Sequence, residues 1–246
     1  MKFKKQHIFL FQKFTISALI ILLAVPVKVH CQKKDDARKL GMALEYFTSA
    51  KYSESLALFQ DLDKKYQLNP RYIAYIGVCY YYIWDYKNAI KYLDEAIPQL
   101  DHFAPHERSV YYYCNAESHF NLQKYQESVP LYEKMLELCY DEEKADVLYH
   151  LGFCYMFQED WLLARDYYRM ALKYYKKYLN IPEKQARMAQ IKNMIAGCIE
   201  HLPQEFNYLP ICKSFVEEKL KAALNTEITK HLSITDTDSI KVSQID

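Results

Sequence analysis

The sequence predicts an all-α chain built as an array of paired helices, and three observations carry that reading. Only four glycines occur among 246 residues, too few for the turns of an all-β sandwich or for phosphate-cradling loops, whereas Leu, Lys, Glu, Tyr and Ala abound. Apolar residues recur at helical spacing, as in Ile73, Ile76, Gly77 and Tyr80, then Ala89, Ile90, Leu93 and Ala96. Above all, one spacing occurs four times: a small residue, an aromatic nine positions on, and a second small residue three further. It reads Ala43, Tyr52, Ser55; Gly77, Tyr86, Ala89; Ala116, Tyr125, Ser128; and Gly152, Trp161, Ala164. The aromatics lie 34, 39 and 36 residues apart, and loops absorb the extra residues at small entropic cost. Each unit is predicted to be two antiparallel helices.

Taken in order, residues 1–31 have the pattern of a signal peptide, with Lys2, Lys4, Lys5 and Lys13 ahead of a charge-free run, Phe14 to Val27. The run falls short of the roughly 20 residues that cross a hydrocarbon core as a helix. The small-residue rule puts cleavage after Cys31; an uncleaved anchor or a lipidated Cys31 are the alternatives. Setting aside the five lysines of this segment leaves 27 basic against 31 acidic residues, a formal −4, which makes nucleic acid an unfavourable partner. The chain is therefore expected to be exported, periplasmic or envelope-associated, with membrane contact only if the N-terminal segment stays attached. Residues 32–36 form a linker.

Residues 37–179 hold the four units. With their small and aromatic positions in place, they resemble the tetratricopeptide repeat family, most closely in the second unit, YIGVCYYYIWDYKNAIKYLDEA, and the fourth, YHLGFCYMFQEDWLLARDYYRMAL, where Ala96 and Ala171 fill a third small position. The resemblance implies a right-handed superhelical array of about four helix-turn-helix units. Two helices that approach closely cannot both carry large side chains at their crossing, so Gly77 is expected to face Ala89 while Tyr86 wedges the turn. Leu62 and Met135 replace the third small residue in units one and three, which predicts looser stacking there. Ala50, Trp84, Gln123 and Glu159 stand where such repeats often carry glycine, so another residue is expected to adopt the turn conformation. Asp85 and Asp160 are expected to cap the second helices of units two and four.

Residues 180–224 are read as capping helices, because each unit of such an array buries its apolar face only against neighbours. Asn180 is expected to cap a helix starting at Pro182 and carrying Ile191, Met194, Ile195 and Cys198 on one face. Residues 225–246 read as a poorly ordered tail.

The sequence carries no Gly-rich phosphate loop, no G-x-S-x-G elbow, no H-E-x-x-H helix and no C-x-x-C pair. No enzyme, cofactor or catalytic residue is expected, and no metal. Asp101, His102, His106 and Glu107 are metal-competent side chains, but Pro105 interrupts the helix that would gather them, so they read as hydrated loop residues. Cys79 and Cys154 occupy equivalent positions two units apart and read as small buried thiols. Cys198 and Cys212 are the one pair whose connection could bring them together.

What remains is recognition. The resemblance implies a concave groove lined by the first helix of each unit, which receives an extended peptide or helix of another protein. Its positions fall on Leu44 and Phe47; Val78, Tyr81 and Tyr82; Tyr113, Glu117 and Phe120; and Tyr149, Phe153 and Phe157, an aromatic and almost uncharged surface. Leu44, Val78, Glu117 and Phe153 stand where carboxylate-clamping subfamilies carry asparagine, which disfavours a C-terminal carboxylate ligand. The leading expectation is a non-catalytic protein–protein interaction scaffold of the envelope; the alternative is a carbohydrate-binding protein using the same rings. The rings could also be covered by the chain's own C-terminal helices.

Overall fold

A computed structural model describes residues 34–204; the expected signal segment, Cys212, the later part of the expected capping helices and the expected tail lie outside them. Among the described residues the regular structure is helical: α1 (34–48), α2 (Tyr52–Tyr66), α3 (Pro70–Tyr82), α4 (Tyr86–Ala96), α5 (Pro105–Asn121), α6 (Tyr125–Leu138), α7 (Lys144–Phe157), α8 (Trp161–Tyr178) and α9 (Gln185–Glu200), with 3-10 turns at Ile97–Gln99 and Pro182–Lys184. Each helix packs on its sequence neighbours, and the pairs α1/α2, α3/α4, α5/α6 and α7/α8 are the four units.

The four turns within units are one motif repeated. At Ala50, Trp84, Gln123 and Glu159 the N–H bonds back three residues, and the next N–H bonds back five: Lys51 N to Tyr46 O at 2.8 Å, Asp85 N to Tyr80 O at 2.9 Å, Lys124 N to His119 O at 2.9 Å and Asp160 N to Tyr155 O at 3.0 Å. This is a Schellman closure, which needs a left-handed residue at its pivot. The expectation that some other residue would take that conformation is overturned: Ala50, Trp84, Gln123 and Glu159 take it themselves, with φ of 58°, 65°, 59° and 61°. The residue after each pivot is the N-cap of the second helix. Asp85 accepts from Asn88 N at 3.2 Å and Asp160 from Leu163 N at 3.1 Å, the caps expected of them. Lys51 and Lys124, at the same place in units one and three, offer no side-chain cap.

The small residues act as expected in kind but not in partner. A Cβ on Gly77 would lie 2.6 Å from Leu93 Cγ, and one on Gly152 would lie 2.5 Å from the Tyr168 ring, so each glycine seats the side chain one turn beyond the small residue first assigned to it. In units one and three a serine bridges the crossing: Ser55 Oγ donates to Ala43 O at 2.9 Å and Ser128 Oγ to Ala116 O at 3.0 Å. Leu62 and Met135 are both buried.

The buried residues form two clusters. One spans α1 to α4 and takes Tyr111 and Cys114 from α5; the other takes Ala116 from α5 and spans α6 to α9. Helix α5 is thus a wall shared by both. Pro105 begins it rather than breaking a helix, since its missing N–H is an orphan at that position anyway. The residues around it are already engaged: Glu107 takes Arg71 through two bonds of 2.7 and 3.0 Å plus the Tyr111 hydroxyl at 2.7 Å, Asp101 takes Arg108 at 2.5 Å, His106 lies 3.2 Å from Glu143, and His102 packs on Phe103. Asn180 accepts from Gln185 Nε2 at 3.0 Å and does not cap; the extended Ile181 precedes the 3-10 turn instead. Met188, Ile191 and Cys198 of α9 are buried against the second cluster, with Met194 and Ile195 beside them.

Candidate functional site

The first helices α1, α3, α5 and α7 are joined by rings. Phe47 stacks on Tyr75 at 4.5 Å, Tyr81 meets Tyr113 edge-on at 6.1 Å, and Phe120 meets Phe153 and Phe157 at 6.4 and 6.0 Å. The wedge aromatics belong to the same system. Tyr52 stacks on Tyr82 of the next unit at 4.1 Å, Tyr125 on Phe157 at 4.7 Å, and Trp161 on His201 at 3.9 Å. Tyr86 has no such partner because Asn121 holds the equivalent place in unit three; it leans on Tyr81 instead. Tyr52 and Tyr125 therefore tie their own turns to the following unit, and Trp161 ties its turn to the end of α9.

The eleven residues expected to line a groove divide by exposure. Tyr82 and Phe157 are open, at 44% and 50%. Leu44, Phe47, Tyr81, Tyr113, Phe120 and Phe153 are half-buried. Val78, Glu117 and Tyr149 do not present a free surface. Val78 belongs to the N-terminal core. Tyr149 is closed in by Phe153, Tyr168, His150 and the Arg187 guanidinium of α9, 4.3 Å from its ring. The capping helix thus covers one ring of the series.

Glu117 is buried as a carboxylate with two companions. It accepts from the Tyr132 hydroxyl, and His150 Nδ1 lies 2.9 Å from its Oε1, within ion-pair reach though not aligned as a hydrogen bond. His150 touches the rings of Tyr113, Phe120, Tyr132 and Tyr149. Sequence reasoning missed it. Its signal was positional: it stands in unit four where Tyr75 stands in unit two.

Burial sets the ionisation of this surface. The Tyr113 phenol is pushed up to about 12 by burial and then by the Glu117 carboxylate, and Tyr82 to about 12 chiefly by burial. Tyr81 and Tyr132 are driven up too, again by burial first. The thiols of Cys79 and Cys154 rise to about 12 for the same reason, and both are buried, so neither is an activated nucleophile. Cys198 is buried as well. Among the described residues no group of three or more His, Cys, Asp and Glu is placed to hold a metal ion. At neutral pH the surface offers neutral phenols and hydrocarbon rings: it can stack and donate hydrogen bonds.

Helix pairs joined by a recurring left-handed turn, with small residues at each crossing and an aromatic wedge, define a helical-repeat protein. The tetratricopeptide repeat model matches residues 107–180, which span helices α5 to α8, and that stretch of the chain is tetratricopeptide repeat. It is similar in fold to a point mutant of MamA (TM-score 0.56, 15% identity, 79% of this chain and 98% of that one) and to MamA MSR-1 (TM-score 0.54, 14% identity, 78% and 98%). It is also similar to a Podosopora anserina protein with nearly identical TPR-like repeats described as a kinesin light chain (TM-score 0.50, 13% identity, 79% and 95%). No curated protein sequence matches it.

Proposed function

We propose that this protein is a non-catalytic interaction scaffold that holds a peptide or helix of a partner protein against the ring-bearing face of α1, α3, α5 and α7. The observation that supports it most is the pair of open rings, Tyr82 and Phe157, each backed by a wedge tyrosine and flanked by half-buried aromatics. Rings already held by their neighbours lose little conformational freedom on binding and bury large area. The side chains favour an apolar or aromatic ligand, since the Glu117 charge is already accompanied by Tyr132 and His150. The N-terminal sequence pattern supports a location outside the cytoplasm, in the periplasm or envelope.

A photo-crosslinking residue placed at Tyr82 or Phe157 tests the reading, with the exposed Lys91 of α4 as the comparison. One protein captured in stoichiometric yield from both ring positions and not from Lys91 is the expected result. Equal capture from all three positions, or saturable retention on a glycan array with no protein captured, would overturn it.

A further inference from the structure

Helix α5 sets one charge among rings. Tyr113, Glu117 and Phe120, four and three residues apart, share a helical face. Tyr81 of α3 meets Tyr113 from one side, and His150 of α7 reaches both Tyr113 and Phe120 from the other. Glu117 is 8% exposed. Burial first, and then the Glu117 charge, raises the phenols of Tyr113 and Tyr132 and the Cys154 thiol, so the carboxylate stands close to all three. Its two oxygens are not treated alike. Oε1 accepts from the Tyr132 hydroxyl and has His150 Nδ1 at 2.9 Å, whereas Oε2 takes no hydrogen bond among the described residues and is not sealed from solvent. Neither companion supplies a hydrogen-bonded cation: the phenol is neutral, and the imidazole approaches off its N–H axis, leaving Nδ1 without a bond. The other Asp, Glu, Lys and Arg residues of α3, α5 and α7 are all in ion pairs, Arg71 with Glu107, Arg108 with Asp101, Lys144 with Asp141 and Asp146 with Lys184. Arg187 of α9 is placed over Tyr149. Among the described residues Glu117 has no lysine or arginine against it.

We propose that this cluster is a pocket for one arginine side chain of the partner segment, with the guanidinium laid against the Tyr113 and Phe120 rings and one N–H donated to Glu117 Oε2. The proposal rests on the scaffold reading above and names the one polar group its ligand carries. A carboxylate withdrawn from water draws a cation more strongly than an exposed one, and ring faces attract a cation through their quadrupole. Arginine suits this surround better than lysine, because its guanidinium is planar, stacks on rings and is weakly hydrated, so it enters an aromatic site at smaller cost. One open oxygen matches a single N–H, which leaves the flat remainder of the group to the rings. A segment apolar along most of its length is thus held in register by one basic side chain.

The ring signals of His150 and Tyr113 are followed by NMR in the full-length protein, at about pH 8, above the ordinary histidine range, as N-acetyl-arginine amide is added. N-acetyl-citrulline amide, of nearly the same shape without the charge, and N-acetyl-lysine amide are the comparisons. The expected result is a saturable shift at both rings, with the arginine probe binding about ten-fold more tightly than the citrulline probe and more tightly than the lysine probe. Glu117→Gln, which can still accept from Tyr132, should bring the arginine and citrulline probes level. Should that variant unfold, Tyr113→Leu keeps the carboxylate, removes one ring and should weaken the arginine probe alone by about five-fold; the probe comparison on the wild-type protein needs neither variant. Equal binding of the arginine and citrulline probes, or no saturable shift with arginine, would overturn the proposal, and lysine binding as tightly as arginine would overturn the choice of arginine. The scaffold reading fails separately. Protein capture at Tyr82 and Phe157 that is undiminished in Glu117→Gln and in excess N-acetyl-arginine amide removes the pocket and leaves the scaffold, whereas saturable arginine binding with no protein captured supports the pocket and removes the scaffold.

Discussion

Replacing Ala50, Gln123 and Glu159 together by glycine should make this protein more stable, although the change removes side chains and loosens the unfolded chain. Each residue pivots a turn at φ between 58° and 61°, where an L-residue loses about 1–2 kcal/mol to the clash of its Cβ with the carbonyl. Glycine relieves that clash and gives back about 0.4–1 kcal/mol through the extra freedom of the unfolded state. The net gain is about 0.5–1 kcal/mol per turn. All three side chains are exposed, so no packing is forfeited, and the sites lie in separate units, so their effects add. The total of roughly 2 kcal/mol raises the thermal midpoint by about 4–8 °C for an array of this length. Calorimetric melts of the triple and single variants check it, with Ala57→Gly on the exposed side of α2 as a control that should lose about 1 kcal/mol. If the control falls while the triple variant stays level or drops, the turns hold no strain and the reasoning fails.

The glycines within helices should separate cleanly: Gly77→Ala and Gly152→Ala press on Leu93 and Tyr168 and should cost about 1–3 kcal/mol, whereas Gly41→Ala and Gly197→Ala enter open space and should gain about 0.5–1 kcal/mol, as urea midpoints will report. Removing the hydroxyl in Ser128→Ala should cost about 1 kcal/mol through the lost bond to Ala116 O, with the same midpoint as readout. His119 is buried with no partner for Nδ1, and burial, aided by Lys124 and opposed by Asp94 and Glu127, holds its pKa below the ordinary 6.5. The unfolded state then binds the proton first, so this contribution is complete above about pH 6.5 and is lost as pH falls toward the folded value. Urea midpoints between pH 7.5 and 5.5, about the histidine range, should decline less in His119→Tyr than in wild type; an unchanged slope would refute the assignment.

The array was legible because its constraint is local and repeated: a small residue, a wedge and a second small residue at fixed spacing leave few ways to pack. What escaped was set by which side chains meet, both across a helix pair and from later elements. Gly77 meets Leu93 because side chains lean along the helix, which spacing alone does not resolve. Val78, Glu117 and Tyr149 look equivalent to surface positions in the repeat, yet core packing, the Tyr132 hydroxyl with His150, and Arg187 of α9 each withdraw one of them. The turn pivots escape for another reason. Missing glycine does not mean a missing left-handed conformation, because the Schellman closure and the stacking of the next unit impose it at a modest cost.

The alternation of the crossings gives the array a longer period than its single unit. Units one and three share an alanine with a bridging serine, an uncapping lysine and a large residue at the third small position. Units two and four share a glycine with an alanine, a capping aspartate, a cysteine two residues after the glycine and an alanine at the third position. Ala43 to Ala116 is 73 residues and Gly77 to Gly152 is 75. The array thus repeats with a period of two units, and the two buried clusters meet on α5, where one pair of units gives way to the next.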